Sequence, residues 1–280
     1  MQYALPYLLS KYILTTYMLL YIIVNFYRFL RKVLTVIKVK KLTKVFHDKK
    51  RGEIIAVNNI GFHCKKGQIF GLLGPNGAGK TTTLRILATM MTPTSGEAFV
   101  NGYNVEKESH KVRQSIGFLS GETGLYDRFS PRETIRFFGK INGMSRLEIE
   151  KRMTEIFQIL GIKDFQDVRV DKLSTGMKQK LSIARAIIHN PPVLVFDEPT
   201  AGLDVITARV VIEYIREFKK QGKCIIFSTH QMHEAEKLCD DIAIIHLGRL
   251  LSIGKLTELR KKVINADLEE IFFKLIEMKS

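Results

Sequence analysis

The sequence has few cysteines, and their spacing fits no disulfide framework and no metal-binding pattern. Only three of the 280 residues are cysteine, and an odd number cannot all be paired within one chain. Cys64 and Cys224 lie in strand-like runs, where a free cysteine behaves as a small apolar core residue. Because small secreted domains usually depend on disulfides, we expect a reduced, intracellular protein.

Acidic residues are scarce relative to basic ones. There are 28 Asp and Glu against 44 Lys and Arg, which gives a formal net charge of +16 at pH 7. Such an excess suits a polyanion or an anionic membrane surface, although a lysine-rich solvated surface has the same balance. No zinc-finger or RNA-binding signature, internal repeat or low-complexity stretch accompanies it. The 45% hydrophobic content is typical of a globular protein with a sizeable core.

Long runs without charge are confined to the first part of the chain. Residues 12–27 carry no charge, and the only charged residue before them is Lys11. A helix that crosses a bilayer needs about 20 mostly apolar residues, and the basic residues that follow would place its C-terminal side in the cytoplasm. The segment 1–34 therefore predicts either a single transmembrane helix or an over-extended start, and it is a poor signal peptide.

A glycine-rich stretch, Gly74–Thr81, follows a short apolar run and precedes a helix-like one. Its letters GPNGAGKT fit G-x-x-x-x-G-K-[ST], the spacing of a phosphate-binding P-loop, although a ligand-free turn is the alternative. Glycines let backbone N–H groups approach phosphate oxygens, and the helix start adds positive partial charge. Lys80 would neutralise the β- and γ-phosphates, and Thr81 would hold Mg²⁺. The residues expected to contact the nucleotide are Gly74, Pro75, Asn76, Gly77, Ala78, Gly79, Lys80, Thr81 and Thr82.

An acidic pair closes the apolar run 193–196, which has the composition of a buried parallel strand. Asp197, at the mouth of such a strand, would bind Mg²⁺, and Glu198 would orient or deprotonate an attacking water. The pair could instead cap a helix, but its coincidence with a P-loop favours the metal and water roles. His230 follows another predicted strand, 224–227, and so lies where ligands bind in α/β sheets.

Between about 121 and 190 the pattern changes from strands to helices. Capping boxes at Ser130 and Ser145 begin two of these helices, and a third is expected from Ser174 to about 189. Strands and helices alternate on both sides, which predicts an α/β sheet with a helical insertion. The tail, 259–280, has one apolar helical face, formed by Leu268, Ile271, Phe272, Leu275 and Ile276.

Five motifs between residues 36 and 256 resemble those of the ATP-binding subunit of ABC transporters. They are Walker A at Gly74–Thr81, the signature at Leu173–Met177, Walker B at Val193–Glu198, the D-loop at Ala201–Asp204 and the switch histidine His230. The sequence of residues 116–126 is similar to that of sodium-extrusion, NatA-like ATPases of the ABC-2 group. The signature reads LSTGM where the family normally has LSGGQ. The Q-loop glutamine is missing, and Gly121 stands about where it belongs.

The resemblance implies a P-loop NTPase (RecA-like) core with an antiparallel β subdomain and an inserted helical subdomain. It implies an ATPase that binds ATP and Mg²⁺, with two copies closed head to tail around two ATP molecules. Lys80 belongs to the catalytic set, and Ser174 and Gly176 of one copy face the ATP bound by the other. The resemblance assigns catalysis or ATP contact to further residues, namely Phe46, which stacks on adenine, Glu198, Asp204 and His230.

The resemblance also implies a cellular function and a division of the chain into domains. We expect residues 35–258 to form the ATPase domain and 259–280 a C-terminal helix. We expect the chain to drive a separate transmembrane permease from the cytoplasmic face of the membrane, as an exporter subunit that pairs with a second ATP-binding subunit. The alternative is a non-transport ABC ATPase acting on nucleic acid or ribosomes. Such proteins usually carry two cassettes or a long coiled-coil insertion, and this chain has neither, so no nucleic acid partner is expected.

Overall fold

A computed structural model describes residues 35–50, 52–120, 124–261 and 267–278. From Val36 onward these residues form one compact unit. The predicted hydrophobic segment 1–34 lies outside the described residues, as does Gly121 at the expected place of the missing glutamine. Within the described ranges, no helix is both long enough and apolar enough to cross a membrane.

The described residues alternate strands and helices in the predicted order. The strands are β1 (Thr35–Asp48), β2 (Gly52–Lys65), β3 (Ile69–Leu73), β4 (Ser95–Val100), β5 (Tyr103–Asn104), β6 (Ile116–Ser120), β7 (Val193–Asp197), β8 (Cys224–Thr229), β9 (Asp241–His246) and β10 (Arg249–Gly254). The α-helices are α1 (Lys80–Leu87), α2 (Ser109–Ser115), α3 (Pro131–Ile141), α4 (Arg146–Leu160), α5 (Thr175–Ile187), α6 (Val205–Lys220), α7 (Met232–Leu238), α8 (Leu256–Arg260) and α9 (Leu268–Glu277).

The strands form two sheets, as the resemblance predicts. The smaller sheet has the order β2-β1-β4-β5, with β4 antiparallel to both β1 and β5. The pattern of residues 54–64 allowed a strand pair or one long strand, and the structure shows one strand that continues through Asn59. Asn59 has a φ of 52°, a left-handed conformation that asparagine tolerates better than most residues.

The larger sheet has the order β10-β9-β3-β8-β7-β6. All of its pairs are parallel except β9 and β10, which form the hairpin predicted around Gly248. Every residue of β3 and β7 is buried. Helices cover one face of the larger sheet, and the smaller sheet and α1 cover the other. The register places Ser120, Asp197 and Ser228 side by side at the carboxyl ends of β6, β7 and β8. Ligands bind at this edge in open α/β sheets.

The insertion between β6 and β7 is helical, as predicted. Ser130 and Ser145 both form complete capping boxes, with Glu133 and Glu148 as the reciprocal partners. Helices α3 and α4 pack closely, because a Cβ added at Gly139 would lie only 2.6 Å from Ile149 Cγ1. Helix α5 ends at Ile187, two residues earlier than predicted.

The tail packs on the larger sheet. Leu268, Ile271, Phe272 and Leu275 of α9 are buried in a cluster with residues of β3, β9 and α7. Ile276, the fifth residue of the predicted face, is partly buried against the same cluster. The expected domain boundary at 258 falls inside α8, whose Leu259 belongs to this cluster as well. The short helix α2 was not predicted, because its seven residues show only two buried positions.

Candidate functional site

The loop Gly74–Thr81 connects β3 to α1, and its shape depends on close backbone contacts. A Cβ at Gly74 would lie 2.2 Å from the carbonyl oxygen of Ile245 in β9. Gly79 has a φ of 99°, and a Cβ there would lie 2.3 Å from the carbonyl oxygen of Ala56 in β2. Both positions therefore require glycine for steric reasons.

The turn between β9 and β10 bridges the loop and the smaller sheet. The Gly248 N–H donates to the carbonyl of Ala78 at 3.0 Å, and the Asn58 N–H donates to the carbonyl of Gly248 at 2.8 Å. The conformation of the loop is thus held by main-chain groups from both sheets. A glycine-rich loop with a fixed backbone is suited to binding a phosphate through its N–H groups.

Lys80 begins α1 and places its ammonium inside the loop. Its side chain is 4% exposed. The ammonium donates to the carbonyl oxygens of Gly74 at 2.7 Å and Pro75 at 3.1 Å, and it lies 3.2 Å from Glu198 Oε1. A buried cation among carbonyls and one carboxylate can transfer these interactions to phosphate oxygens without leaving the loop.

Asp197 and Thr81 meet across the sheet edge, as expected for a shared metal. The Thr81 hydroxyl donates to Asp197 Oδ1 at 3.2 Å, and the Ser228 hydroxyl donates to the same oxygen at 2.6 Å. Asp197 is buried at the end of β7. A hydroxyl and a carboxylate are the oxygen ligands that Mg²⁺ takes together with substrate phosphates, so these residues fit the predicted ion. The described residues contain no cluster of three or more His, Cys, Asp or Glu able to hold a metal by themselves.

Glu198 lies between Lys80 and His230. Its Oε1 is 3.2 Å from the Lys80 ammonium, and its Oε2 is 3.2 Å from His230 Nδ1. Glu198 has a φ of 48°, a left-handed conformation that costs a non-glycine residue about 1–3 kcal/mol. Strain of this kind persists only where the surroundings hold it, and here the Glu198 N–H donates to Ser228 Oγ at 3.0 Å.

A second group of predicted residues surrounds the starts of α5 and α6. Ser174 caps α5 by accepting from the Met177 N–H at 3.2 Å. Asp204 caps α6, accepts from the Thr207 hydroxyl at 2.7 Å, and has its pKa lowered chiefly by that hydrogen bond. A Cβ at Gly176 would lie 3.2 Å from the Thr207 side chain, so the two helix starts are in contact.

The second group is thus held within its own helix starts, whereas Lys80, Thr81, Asp197, Glu198 and His230 contact one another directly. Within one chain, the structure therefore divides the predicted residues into two groups. That division is the arrangement expected if the two groups face each other only across a dimer.

Phe46 lies near the end of β1, beside the hairpin that leads into β2. Its ring is partly exposed, and the Lys44 ammonium lies 5.2 Å from the ring centroid. Ala56, near the start of β2, touches Gly79 of the loop, so the hairpin end that carries Phe46 is also the end nearest the P-loop. An exposed ring at this end is available for stacking on a base.

Comparison with known proteins decides the family. The ABC transporter family profile matches residues 57–201. The chain is 41% identical to the ABC transporter ATP-binding protein NatA of Bacillus subtilis (strain 168), over 81% of this chain and 92% of that protein. The chain belongs to the ABC transporter family.

Further comparisons agree with the fold. This ABC chain is 37% identical to the linearmycin resistance ATP-binding protein LnrL of Bacillus subtilis (strain 168), over 74% of this chain and 67% of that protein. A dimeric ATP-binding cassette in a post-hydrolysis state, bound to ADP and Pi, superposes with a TM-score of 0.72 at 27% identity, over 79% of this chain and 98% of that one. The chain is therefore an ATP-binding subunit and an ATPase with the ABC fold.

Two features of this ABC cassette were missed by reading the sequence. Ser228 is fully buried and contacts both members of the acidic pair, although only His230 of the run Ser228–His230 was given a role. The signal was a hydroxyl at the end of the strand next to β7. Arg185 of α5 donates to the carbonyl of Gly124 at 3.2 Å, at the edge of the segment that lacks the Q-loop glutamine, and burial lowers its pKa.

Proposed function

We propose that the chain powers an ABC exporter by hydrolysing ATP in complex with Mg²⁺, and that a separate transmembrane permease carries the substrate. The observation that carries this proposal is the meeting of Lys80, Thr81, Asp197, Glu198 and His230 at one sheet edge. A loop that cradles phosphates, oxygen ligands for a divalent cation and a carboxylate with a histidine neighbour are the parts that phosphoryl transfer to water needs.

Each residue has a distinct task in this proposal. The loop N–H groups and Lys80 hold the β- and γ-phosphates in place. Thr81 and Asp197 would hold Mg²⁺, which neutralises negative charge on the phosphate oxygens when bound. Glu198 orients the attacking water and accepts its proton. His230 Nδ1 lies 3.2 Å from Glu198 Oε2 and holds the carboxylate in place. Positioning and electrostatic stabilisation supply most of the rate, because the chemistry asks for little covalent participation by the protein.

Replacing Glu198 with Gln tests the role of the carboxylate. The amide keeps the size of the side chain but cannot accept a proton, so we expect ATP binding to persist while turnover falls by about 100-fold or more. Glu213→Gln is the matched control, because the same chemical change is made on an exposed face of α6. Steady-state phosphate release and binding of a fluorescent ATP analogue provide the two measurements. Wild-type turnover in Glu198→Gln would remove Glu198 from the mechanism.

We also propose that two copies share each ATP. The dimeric relative supports this arrangement, and so do the contacts of Ser174 with Met177 and of Gly176 with Thr207, which are made among the starts of α5 and α6. In the closed dimer, the start of α5 from one copy would face the γ-phosphate held by Lys80 of the other copy. The Thr175 and Met177 replacements leave Ser174 and Gly176, the residues assigned to that contact, in place.

We propose that sodium is the exported substrate. The sequence of residues 116–126 supports this proposal, because it resembles that of NatA-like sodium-extrusion ATPases. The cytoplasmic face of the membrane is the proposed location. The test is purification of the full-length chain together with any co-purifying membrane protein, followed by reconstitution in vesicles and measurement of ATP-dependent sodium flux. ATP hydrolysis without sodium movement would overturn the cargo alone. Co-purification with ribosomes or nucleic acid instead of a membrane protein would favour the non-transport alternative.

A further inference from the structure

Ser228 is the last residue but one of β8, and its hydroxyl lies between the two acidic residues of the site. It donates to Asp197 Oδ1 at 2.6 Å and accepts from the Glu198 N–H at 3.0 Å. The Ser228 carbonyl accepts from the same Glu198 N–H at 3.2 Å. Ser228 has no solvent exposure, so water cannot replace these hydrogen bonds.

We propose that Ser228 is a positioning residue that sets the orientation of Asp197 and Glu198 relative to each other. This inference rests on the proposed roles of those two acids. Ser228 acts through them and does not itself contact the nucleotide. Its hydroxyl bonds both to the carboxylate of Asp197 and to the backbone of Glu198.

The contact with Asp197 fixes the metal side of the site. The hydroxyls of Thr81 and Ser228 approach the same oxygen, Oδ1, from α1 and from β8. A charge-assisted hydrogen bond of 2.6 Å restricts the rotation of the carboxylate. Ser228 therefore holds the Asp197 carboxylate in the orientation in which it also meets Thr81.

The contact with Glu198 fixes the catalytic side. Glu198 has a left-handed φ of 48°, and this conformation directs its N–H toward β8 and its side chain toward Lys80 and His230. Without the Ser228 hydroxyl, one of the two acceptors that hold this N–H is lost. The N–H is then held by the Ser228 carbonyl alone, so the strained backbone of Glu198 can relax more easily and its carboxylate would move with it.

The hydroxyl of the next residue, Thr229, contacts a different element, so the two hydroxyls have different roles. Thr229 points to the other side of the strand, where it donates to Glu234 Oε2 at 2.9 Å and accepts from the Gln231 N–H at 3.0 Å. It therefore holds the turn around His230 and the start of α7. The contact with the acidic pair belongs to Ser228 and not to the strand end in general.

The test compares Ser228→Thr with Ser228→Val in the full-length chain. Threonine and valine have nearly the same shape and both add one methyl group, so the pair differs in the hydroxyl alone. We expect the valine variant to lose about 10- to 100-fold in kcat relative to the threonine variant, as the loss of hydrogen bonds to charged groups implies. We also expect its half-saturating Mg²⁺ concentration to rise several-fold. The KM for ATP and the binding of a fluorescent ATP analogue in EDTA should stay within about twofold, because the loop is untouched.

Two results would overturn the inference. Equal kcat and equal Mg²⁺ dependence in the threonine and valine variants would overturn it. If the added methyl group unfolds both, Ser228→Ala removes the hydroxyl without adding bulk, and a wild-type kcat and Mg²⁺ dependence there would overturn it too. Glu198→Gln is measured in parallel: wild-type turnover in that variant refutes the catalytic role of Glu198. If Glu198→Gln is inactive and the threonine and valine variants have equal kcat and Mg²⁺ dependence, only the role of Ser228 is refuted.

Discussion

The packing of α9 on the sheet can be tested with two adjacent phenylalanines. Phe272 is 6% exposed in the cluster that joins α9 to β3, β9 and α7, and its ring meets His246 edge-on at 6.1 Å. Phe273, the next residue, is 54% exposed, and its ring meets that of Phe272 edge-on at 5.6 Å. We predict that Phe272→Ala destabilises the protein strongly and that Phe273→Ala does not.

The size of the effect follows from burial. Truncating a buried phenylalanine to alanine costs about 3–5 kcal/mol, because transfer free energy and cavity terms add. An exposed substitution usually stays within about 0.5 kcal/mol. One kcal/mol shifts the Tm by about 2–4 °C in domains of 150–250 residues, so Phe272→Ala should lower the Tm by about 6 °C or more. Both variants change helix propensity equally, so this contribution cancels in the comparison.

Thermal unfolding of the full-length chain, followed by circular dichroism, measures both variants under one set of conditions. We expect the Tm of Phe273→Ala to be close to that of the wild type, and the Tm of Phe272→Ala to be well below both. If Phe272→Ala melts within 1–2 °C of Phe273→Ala, the tail contributes little to stability. In that case α9 is a free tail or a contact for a partner.

Two further predictions concern the site. Gly79→Ala should bind ATP at least about tenfold more weakly, because it combines a left-handed φ with a clash against the Ala56 carbonyl. Gly102→Ala is the control, since its φ of 85° is similar but nothing lies within 4 Å of the added Cβ, and its ATP affinity should be unchanged. In the shared site, Lys80→Ala and Ser174→Arg should each be inactive alone, and mixing them should restore phosphate release through heterodimers with one intact site. Full activity of each variant alone would contradict sharing.

Local signals in the sequence were enough to predict most elements of the fold. The capping boxes at Ser130 and Ser145 form as predicted, because a hydroxyl and a glutamate three residues later satisfy the first N–H groups of a helix without help from elsewhere. The fully apolar run that became β7 was also predicted, since both faces of a central parallel strand are covered. The helix α2 was missed because seven residues with two buried positions show no clear period.

The site was predictable in its residue types but not in its contacts. A P-loop and an acidic pair are recognisable because their spacing along the chain is short and their chemistry is specific. The contacts of Ser228 depend on the register of β7 against β8, and that register is set by pairing between segments about 30 residues apart in the chain. The interaction of Lys80 with Glu198 likewise requires β3 and β7 to lie on the two sides of β8.

The supports of the P-loop are peptide groups, and this has a consequence for how the protein can change. Gly79 meets the carbonyl of Ala56, Gly74 meets that of Ile245, and Gly248 joins β2 to the loop through its own N–H and carbonyl. The exposed side chains at the start of β2, such as Ile54 and Ile55, can therefore change without disturbing the phosphate cradle. An insertion or deletion in the β1–β2 hairpin is different, because shifting β2 by one residue moves every carbonyl. The phosphate cradle therefore depends on the length of this hairpin.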